Sequence, residues 1–362
     1  MKPLFNSRYT SSFSFVAVLL LAEMTSRWLS PSLPIDPGKW PRVEIAQKLN
    51  QMRDMANKEE RVEVLFVGSS MMAGGVDPVR FTEQSGLSSY NAAFAGPSMR
   101  TITPWTLDIV VPLLKPRFVV LGVQSRELSD NGPKNEVMYE KFVASPGYRE
   151  AASNVALQIG GKLENLSEFL RNRRILREPS QLFTADSEEA LATAAIRHEI
   201  GPRGRRNDAA GSYHNSRKFS QALLDKALID YEVGGPELAA LAKLETGLRR
   251  QGVELIIMNM PVTDDYWEAH EDPIGNRASY RSALEDVVDR AGIRLVDAED
   301  AFPDAEEFRD PMHLDVAARI SLADALAESW PELTDGAGGG FKVVCSAARA
   351  CHLERSEWLA SR

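Results

Sequence analysis

Cysteine is nearly absent from this chain: its 362 residues include two, Cys345 and Cys351, both near the C-terminus. The body therefore has no thiols for a disulfide framework or a Cys-based zinc site. Histidine is sparse too. His198, His214, His270, His313 and His352 are scattered singly, without the His-x-x-x-His spacing that puts two ligands on one helix face. No metal and no cofactor is expected. Positive charge is not in excess: the net charge of −9 argues against nucleic acid as a partner, because a phosphate backbone draws a basic face. No internal repeat is visible. What remains, 44% hydrophobic and 26% charged residues, is the make-up of a globular protein.

Long apolar runs are also lacking, with one exception at the N-terminus. Residues 13 to 22 read Phe-Ser-Phe-Val-Ala-Val-Leu-Leu-Leu-Ala, preceded by Lys2 and Arg8. The uncharged part, from Tyr9 to Ala22, is short for a span of ~20 residues. Adding Glu23 to Trp28 as an interfacial end restores the length, with Arg27 and Trp28 at headgroup depth. A cleaved signal peptide is the rival reading, although Leu20 would occupy the −3 position for a cut after Ala22. A buried helix is the third. The expectation is an uncleaved single-pass anchor over residues 1–30. Basic residues lie on both sides of it, so charge alone does not choose the body's side of the membrane.

Residues 31–61 form a juncture, with Pro31, Pro34, Pro37 and Pro41, and then a helix from Ile45 to Glu60. Val62 to Val67 is nearly continuous in apolar character, the mark of a central parallel strand. Further strands are expected over Ser88–Phe94, Arg117–Val123, Val253–Met260 and Ile293–Val296. Helices are expected over Thr103–Leu114, Pro236–Arg250, Tyr280–Ala291 and Val316–Trp330, the last N-capped by Asp315. Strands alternating with helices predict an α/β fold, a three-layer doubly wound parallel sheet spanning 62–334. Residues 129–235 break the alternation and read as a largely helical insertion. It holds two basic clusters, Arg171, Arg173, Arg174 and Arg177, and Arg203, Arg205 and Arg206. These fit either solvated surface or contact with an anionic lipid or polymer. Residues 335–362, Gly-rich and then polar, read as a disordered tail in which Cys345 and Cys351 could pair under oxidising conditions.

Two short motifs carry chemistry. Gly68-Ser69-Ser70 follows the first strand, and open α/β sheets place their ligands at the carboxyl ends of such strands. Asp310-Pro311-Met312-His313 precedes the last helix, so the Asp can accept the imidazole Nδ1–H and leave Nε2 for a serine proton. Each motif alone is common; together, at the two ends of the domain, they point to acyl transfer. Asn259-Met260-Pro261 reads as a strand-ending turn or as cleft lining, and His214 and His270 as surface residues.

At these residues the chain resembles the SGNH (GDSL-type) hydrolases. Val64 to Ser70 resembles their first block, with Ser69 in the place of the usual Asp and Ser70 at the nucleophile. Asn91-Ala92-Ala93-Phe94-Ala95-Gly96 resembles the second block, whose glycine offers a backbone N–H to the oxyanion. Asp310 and His313 match the last block. The third block, normally Gly-x-Asn-Asp, stands here as Gly122-Val123-Gln124-Ser125. Gln124 takes the place of the Asn that gives the third oxyanion donor, one methylene longer. Anchored members, similar to D-alanyl transfer proteins and polysaccharide acyl esterases, commonly carry an N-terminal helix. The resemblance implies a membrane-anchored, extracytoplasmic serine esterase with an acyl-ester substrate. Its catalytic residues would be Ser70, Asp310 and His313, and its oxyanion or binding residues Gly96, Gln124 and Asn91. The same triad would serve an acyltransferase or deacylase of a cell-envelope glycan. An altered oxyanion hole also fits a binding module that has lost catalysis.

Overall fold

Strand β1 (Val64–Gly68) and strand β3 (Phe118–Val123) are buried at every position, as continuous apolar runs require when both sheet faces are covered. They pair in parallel, with Gly68 opposite Gly122. On its other side β1 pairs in parallel with β2 (Ser89–Asn91), while β3 is followed by β4 (Glu254–Asn259) and β5 (Arg294–Asp297), all parallel. The chain thus leaves β1 to one side and returns to the other. That reversal opens a crevice at the carboxyl ends of β1 and β3, where doubly wound sheets bind ligands. The computed structural model of the chain describes residues 7–29, 40–152, 167, 169, 200–207, 228, 230–335, 340–345 and 351–356.

The helices form two packed groups. In one, α4 (Pro78–Ser85) lies against α12 (Val316–Glu328), with the short α3 (Ser70–Gly75) beside it. In the other, α9 (Pro236–Arg250) packs on α5 (Met99–Pro104), α2 (Val43–Asn57) on α6 (Val111–Leu114), and α11 (Pro273–Ala291), which also meets the short α10 (Asp264–Glu268), beside α9. Between α5 and α6 the chain forms a π-helical turn, Trp105–Val110. Pro104 and Pro112 lack the N–H donors a regular ladder needs there. Helix α13 (Trp330–Asp335) seats Trp330 against Phe81 of α4 and Phe118 of β3, with ring centroids 5.1 and 5.3 Å away.

The C-terminal segment differs from the disordered tail expected over 335–362. Strands β8 (Gly340–Cys345) and β9 (Cys351–Arg355) extend the sheet to seven strands in the order β2-β1-β3-β4-β5-β8-β9, the last pair antiparallel and bridged by the Cys345–Cys351 disulfide. Phe341, Val343, Cys351 and Leu353 point inward and Lys342, His352 and Glu354 outward, a period-2 pattern hidden by its shortness and the glycines before it.

Within the insertion, α7 (Pro133–Ala144) and α8 (Pro146–Ala152) are helical as expected. Phe142 of α7 is buried among Trp40, Trp105 and Phe94. Residues 200–207 cover the edge strand β2. Arg203 donates to the Ser89 carbonyl at 3.1 Å, and the buried Lys48 ammonium bridges the carbonyls of Asn91 and Gly204 at 2.8 and 3.0 Å. Covering an edge blocks pairing with another chain. Arg203 is therefore directed at the body, and Arg205 reaches Asp77 at 4.0 Å. The cluster Arg171, Arg173, Arg174 and Arg177, and His214, lie outside the described residues.

Helix α1 (Ser7–Leu29) exposes Val18, Leu20, Leu21, Met24 and Trp28. Its far end is tied to the insertion, where Glu23 accepts from the Ser167 hydroxyl at 2.6 Å and the Phe169 N–H at 3.1 Å. Among the described residues no helix is long and apolar enough to cross a membrane.

Candidate active site

Strand β1 must turn sharply into α3 for Ser70 to stand clear of the sheet. Gly68 makes that turn at φ +149, where a Cβ would lie 2.7 Å from the Gly122 carbonyl oxygen and 2.9 Å from Met72 Cβ. Ser69 caps α3: its hydroxyl accepts from the Met71 N–H at 3.2 Å. Ser70 is then the first residue of the helix and is half-buried.

Asp310 and His313 face each other across a short hairpin, β6 (Phe308–Asp310) and β7 (His313–Leu314). Its turn is held by Thr263, whose N–H and hydroxyl both donate to the Pro311 carbonyl, at 3.0 and 3.2 Å. His313 Nδ1 lies 2.7 and 2.9 Å from the two carboxylate oxygens of Asp310, and its Nε2 lies 2.8 Å from Ser70 Oγ. A carboxylate accepts only, so Nδ1 carries the proton and Nε2 is left to accept from the serine hydroxyl. Burial pushes the Asp310 carboxyl up. The His313 hydrogen bond and charge, the Met312 N–H and Arg309 outweigh that and hold it below its ordinary range. Asp310 is thus an ionised partner for the imidazole.

The two amides expected near the oxyanion are turned elsewhere. Gln124 is fully buried. Its Nε2 donates to Asn259 Oδ1 at 3.3 Å and to the Met260 carbonyl at 3.0 Å, while its Oε1 accepts from the Ser125 N–H at 2.8 Å. These bonds hold the amide at the ends of β3 and β4, in the interior. Asn91 is equally committed: Nδ2 donates to the carbonyls of Met72 and Val76 at 3.0 and 3.2 Å, and Oδ1 accepts from the Ala93 N–H. Both are structural braces rather than donors to a ligand. Asn259 does not line the cleft either, since Tyr280, Asp297 and Glu299 take its remaining bonds. Gly96 lies on the loop that follows β2, at φ +86. Phe94 N–H, two residues earlier, donates to the Gly68 carbonyl at 3.3 Å.

Two residues near Gly96 carry no motif of their own. The Gly96 carbonyl accepts from Arg126 Nη2 at 3.1 Å, and Arg42 Nη2 sits 3.1 Å from where a Gly96 Cβ would be. The only sequence signal for Arg126 is its place two residues after Gln124, at the end of β3; Arg42, on the juncture before the domain, has none.

His270, expected at the surface, is buried and ends a second hydrogen-bonded chain. The Arg126 N–H donates to the Tyr266 hydroxyl at 3.1 Å; the Tyr266 hydroxyl is 2.6 Å from Ser125 Oγ, which is 3.1 Å from His270 Nε2. His270 Nδ1 lies 3.3 Å from the Tyr266 carbonyl, which fixes the proton on Nδ1. Ser125 is fully buried, so this pair braces the structure. Burial lowers the His270 pKa from 6.5 to about 4, against the pull of the Tyr266 and Trp267 backbone. The unfolded ring takes up a proton near pH 6.5 that the folded ring refuses until about pH 4. Stability from this group is complete above the unfolded value and falls as pH drops through that window, by roughly 3 kcal/mol in all. Between pH 7 and pH 4.5, urea denaturation of His270→Gln should lose about 2 kcal/mol less than wild type. Equal losses in the two proteins would contradict this.

No protein-family model matches the chain, and no curated protein matches it.

Proposed function

We propose that this protein is an SGNH-type serine esterase with Ser70 as nucleophile, His313 as general base and acid, and Asp310 as orienter. The observation that carries the reading is the unbroken chain from Ser70 Oγ to His313 at 2.8 Å and on to Asp310 at 2.7 Å. Ser70 Oγ attacks the ester carbonyl as its proton passes to His313 Nε2. The backbone N–H groups of Ser70 and Gly96 receive the oxyanion, without side-chain amides. The alcohol leaves with the proton from His313. Water then attacks the acyl–Ser70 ester while His313 takes a proton and returns it to Ser70. A glycan hydroxyl in the water's place makes the same chemistry an acyl transfer, so an envelope glycan is the acceptor to test.

A second reading, a binding module that has lost catalysis, draws on the inward commitment of Gln124 and Asn91. A fluorophosphonate probe separates the two. Stoichiometric labelling at Ser70, lost in Ser70→Ala, is expected; a folded protein that stays unlabelled belongs to the second reading.

We also assign α1 to the membrane surface, on the strength of its exposed Val18, Leu20, Leu21, Met24 and Trp28. The Cys345–Cys351 disulfide fits a body in an oxidising compartment. The full chain should sediment with lipid vesicles, and a chain lacking residues 1–30 should not. Full-length protein that stays in the supernatant without detergent would refute the assignment.

A further inference from the structure

We propose that Arg42 and Arg126 form an anion-recognition site on the rim of the Ser70 cleft, and that the ester this protein accepts carries a carboxylate or phosphate. The proposal names the substrate class for the acyl chemistry above and rests on that reading for its link to Ser70.

Both guanidinium groups approach Gly96. One donates to its carbonyl at 3.1 Å; the other lies 3.1 Å from the space its missing side chain leaves open. Two like charges at one peptide repel, so the pairing of each decides what the place can hold. Arg126 is fixed. Its Nη1 pairs with Glu127 at 2.7 Å, and its backbone N–H is tied to Tyr266. Arg42 is exposed and, among the described residues, makes no hydrogen bond and no direct ion pair. Glu44 is the carboxylate whose charge acts on it. That carboxylate already accepts the Ala95 N–H at 2.9 Å and also acts on the buried Lys48.

The local balance is therefore positive: Arg42, Lys48 and Arg126 against Glu44 and Glu127, in a chain whose net charge is −9. Although Arg42 reaches solvent, desolvation by the protein packed around its guanidinium lowers its pKa; Glu44 opposes this and the Arg126 charge adds to it. An anion bridging the two guanidinium groups removes the repulsion and gives Arg42 a planar acceptor, which it lacks among the described residues. The place is also where a substrate would reach. Gly96 follows Phe94, which is bonded to Gly68, and Arg126 sits four residues beyond Gly122, the strand partner of Gly68. Both guanidinium groups thus lie at the strand ends from which Ser70 projects.

Isothermal titration of the full chain with inorganic phosphate and with glucuronate, at low ionic strength, tests this. At least one anion should bind, and Arg42→Gln should weaken it at least tenfold while the melting temperature stays within a degree or two of wild type. The tighter of the two anions identifies the group on the substrate. Arg126→Lys, which keeps the charge but loses the fork, should weaken it less. No binding of either anion to wild type, or equal affinity in Arg42→Gln, overturns the proposal. Fluorophosphonate labelling is read on the same samples. Arg42-dependent anion binding with an inert Ser70 removes the acyl chemistry and leaves the anion site. A reactive Ser70 with Arg42-independent affinity removes only the anion site.

Discussion

Ser70→Ala should lower kcat/KM for 4-nitrophenyl acetate by roughly 10⁴-fold or more and leave the melting temperature unchanged. The two expectations come from different parts of the structure. Ser70 is the residue whose hydroxyl meets His313 Nε2 at 2.8 Å, so its removal leaves the imidazole without a proton to accept. Its hydroxyl does not cap α3; Ser69 does that, and alanine is the better helix former at position 70. Ser69→Ala should therefore do the reverse, costing about 1 kcal/mol of stability by removing the cap. Turnover in Ser70→Ala at the wild-type rate would end the nucleophile assignment, and a large fall in melting temperature would mean that the lost rate reports misfolding.

Gly68→Ala should destabilise the protein by about 2–5 kcal/mol, enough to threaten folding of a marginally stable domain. Two costs combine. The residue is held at φ +149, which an L side chain rarely adopts, and its Cβ would meet the Gly122 carbonyl oxygen at 2.7 Å and Met72 Cβ at 2.9 Å. Both neighbours are rigid. The oxygen belongs to the central strand β3, and Met72 is a buried residue of the helix that carries Ser70. Any shift that relieves the clash also moves α3 away from the β6–β7 hairpin. A variant soluble enough to assay should therefore lose fluorophosphonate labelling as well as stability. A Gly68→Ala protein with wild-type melting and labelling would show that the turn is looser than its geometry.

The parallel sheet was legible because burial on both faces writes itself into composition. Val64–Val67 and Phe118–Val123 are apolar without interruption, and no surface strand would be. The α9 boundaries were legible from Pro236 at the first turn and Gln251-Gly252 at the end, and Asp315 announced the start of α12 by its capping side chain. The β8–β9 hairpin was not, because glycines precede it and a two-stranded extension offers few alternating positions to read.

For the candidate site the division is sharper. Sequence alone determined which atoms are chemically able to act: a serine after a central strand, and an Asp three places before a His. Residue types and short spacings are local facts. Only the tertiary structure decided where each side chain points. It set Gln124 and Asn91 to bracing the interior and buried His270 beside Ser125. It also brought Arg42 and Arg126, far apart in the chain, to one glycine. Direction depends on packing and on hydrogen-bond partners supplied by other strands, as the Gln124 bonds to Asn259 and Met260 show.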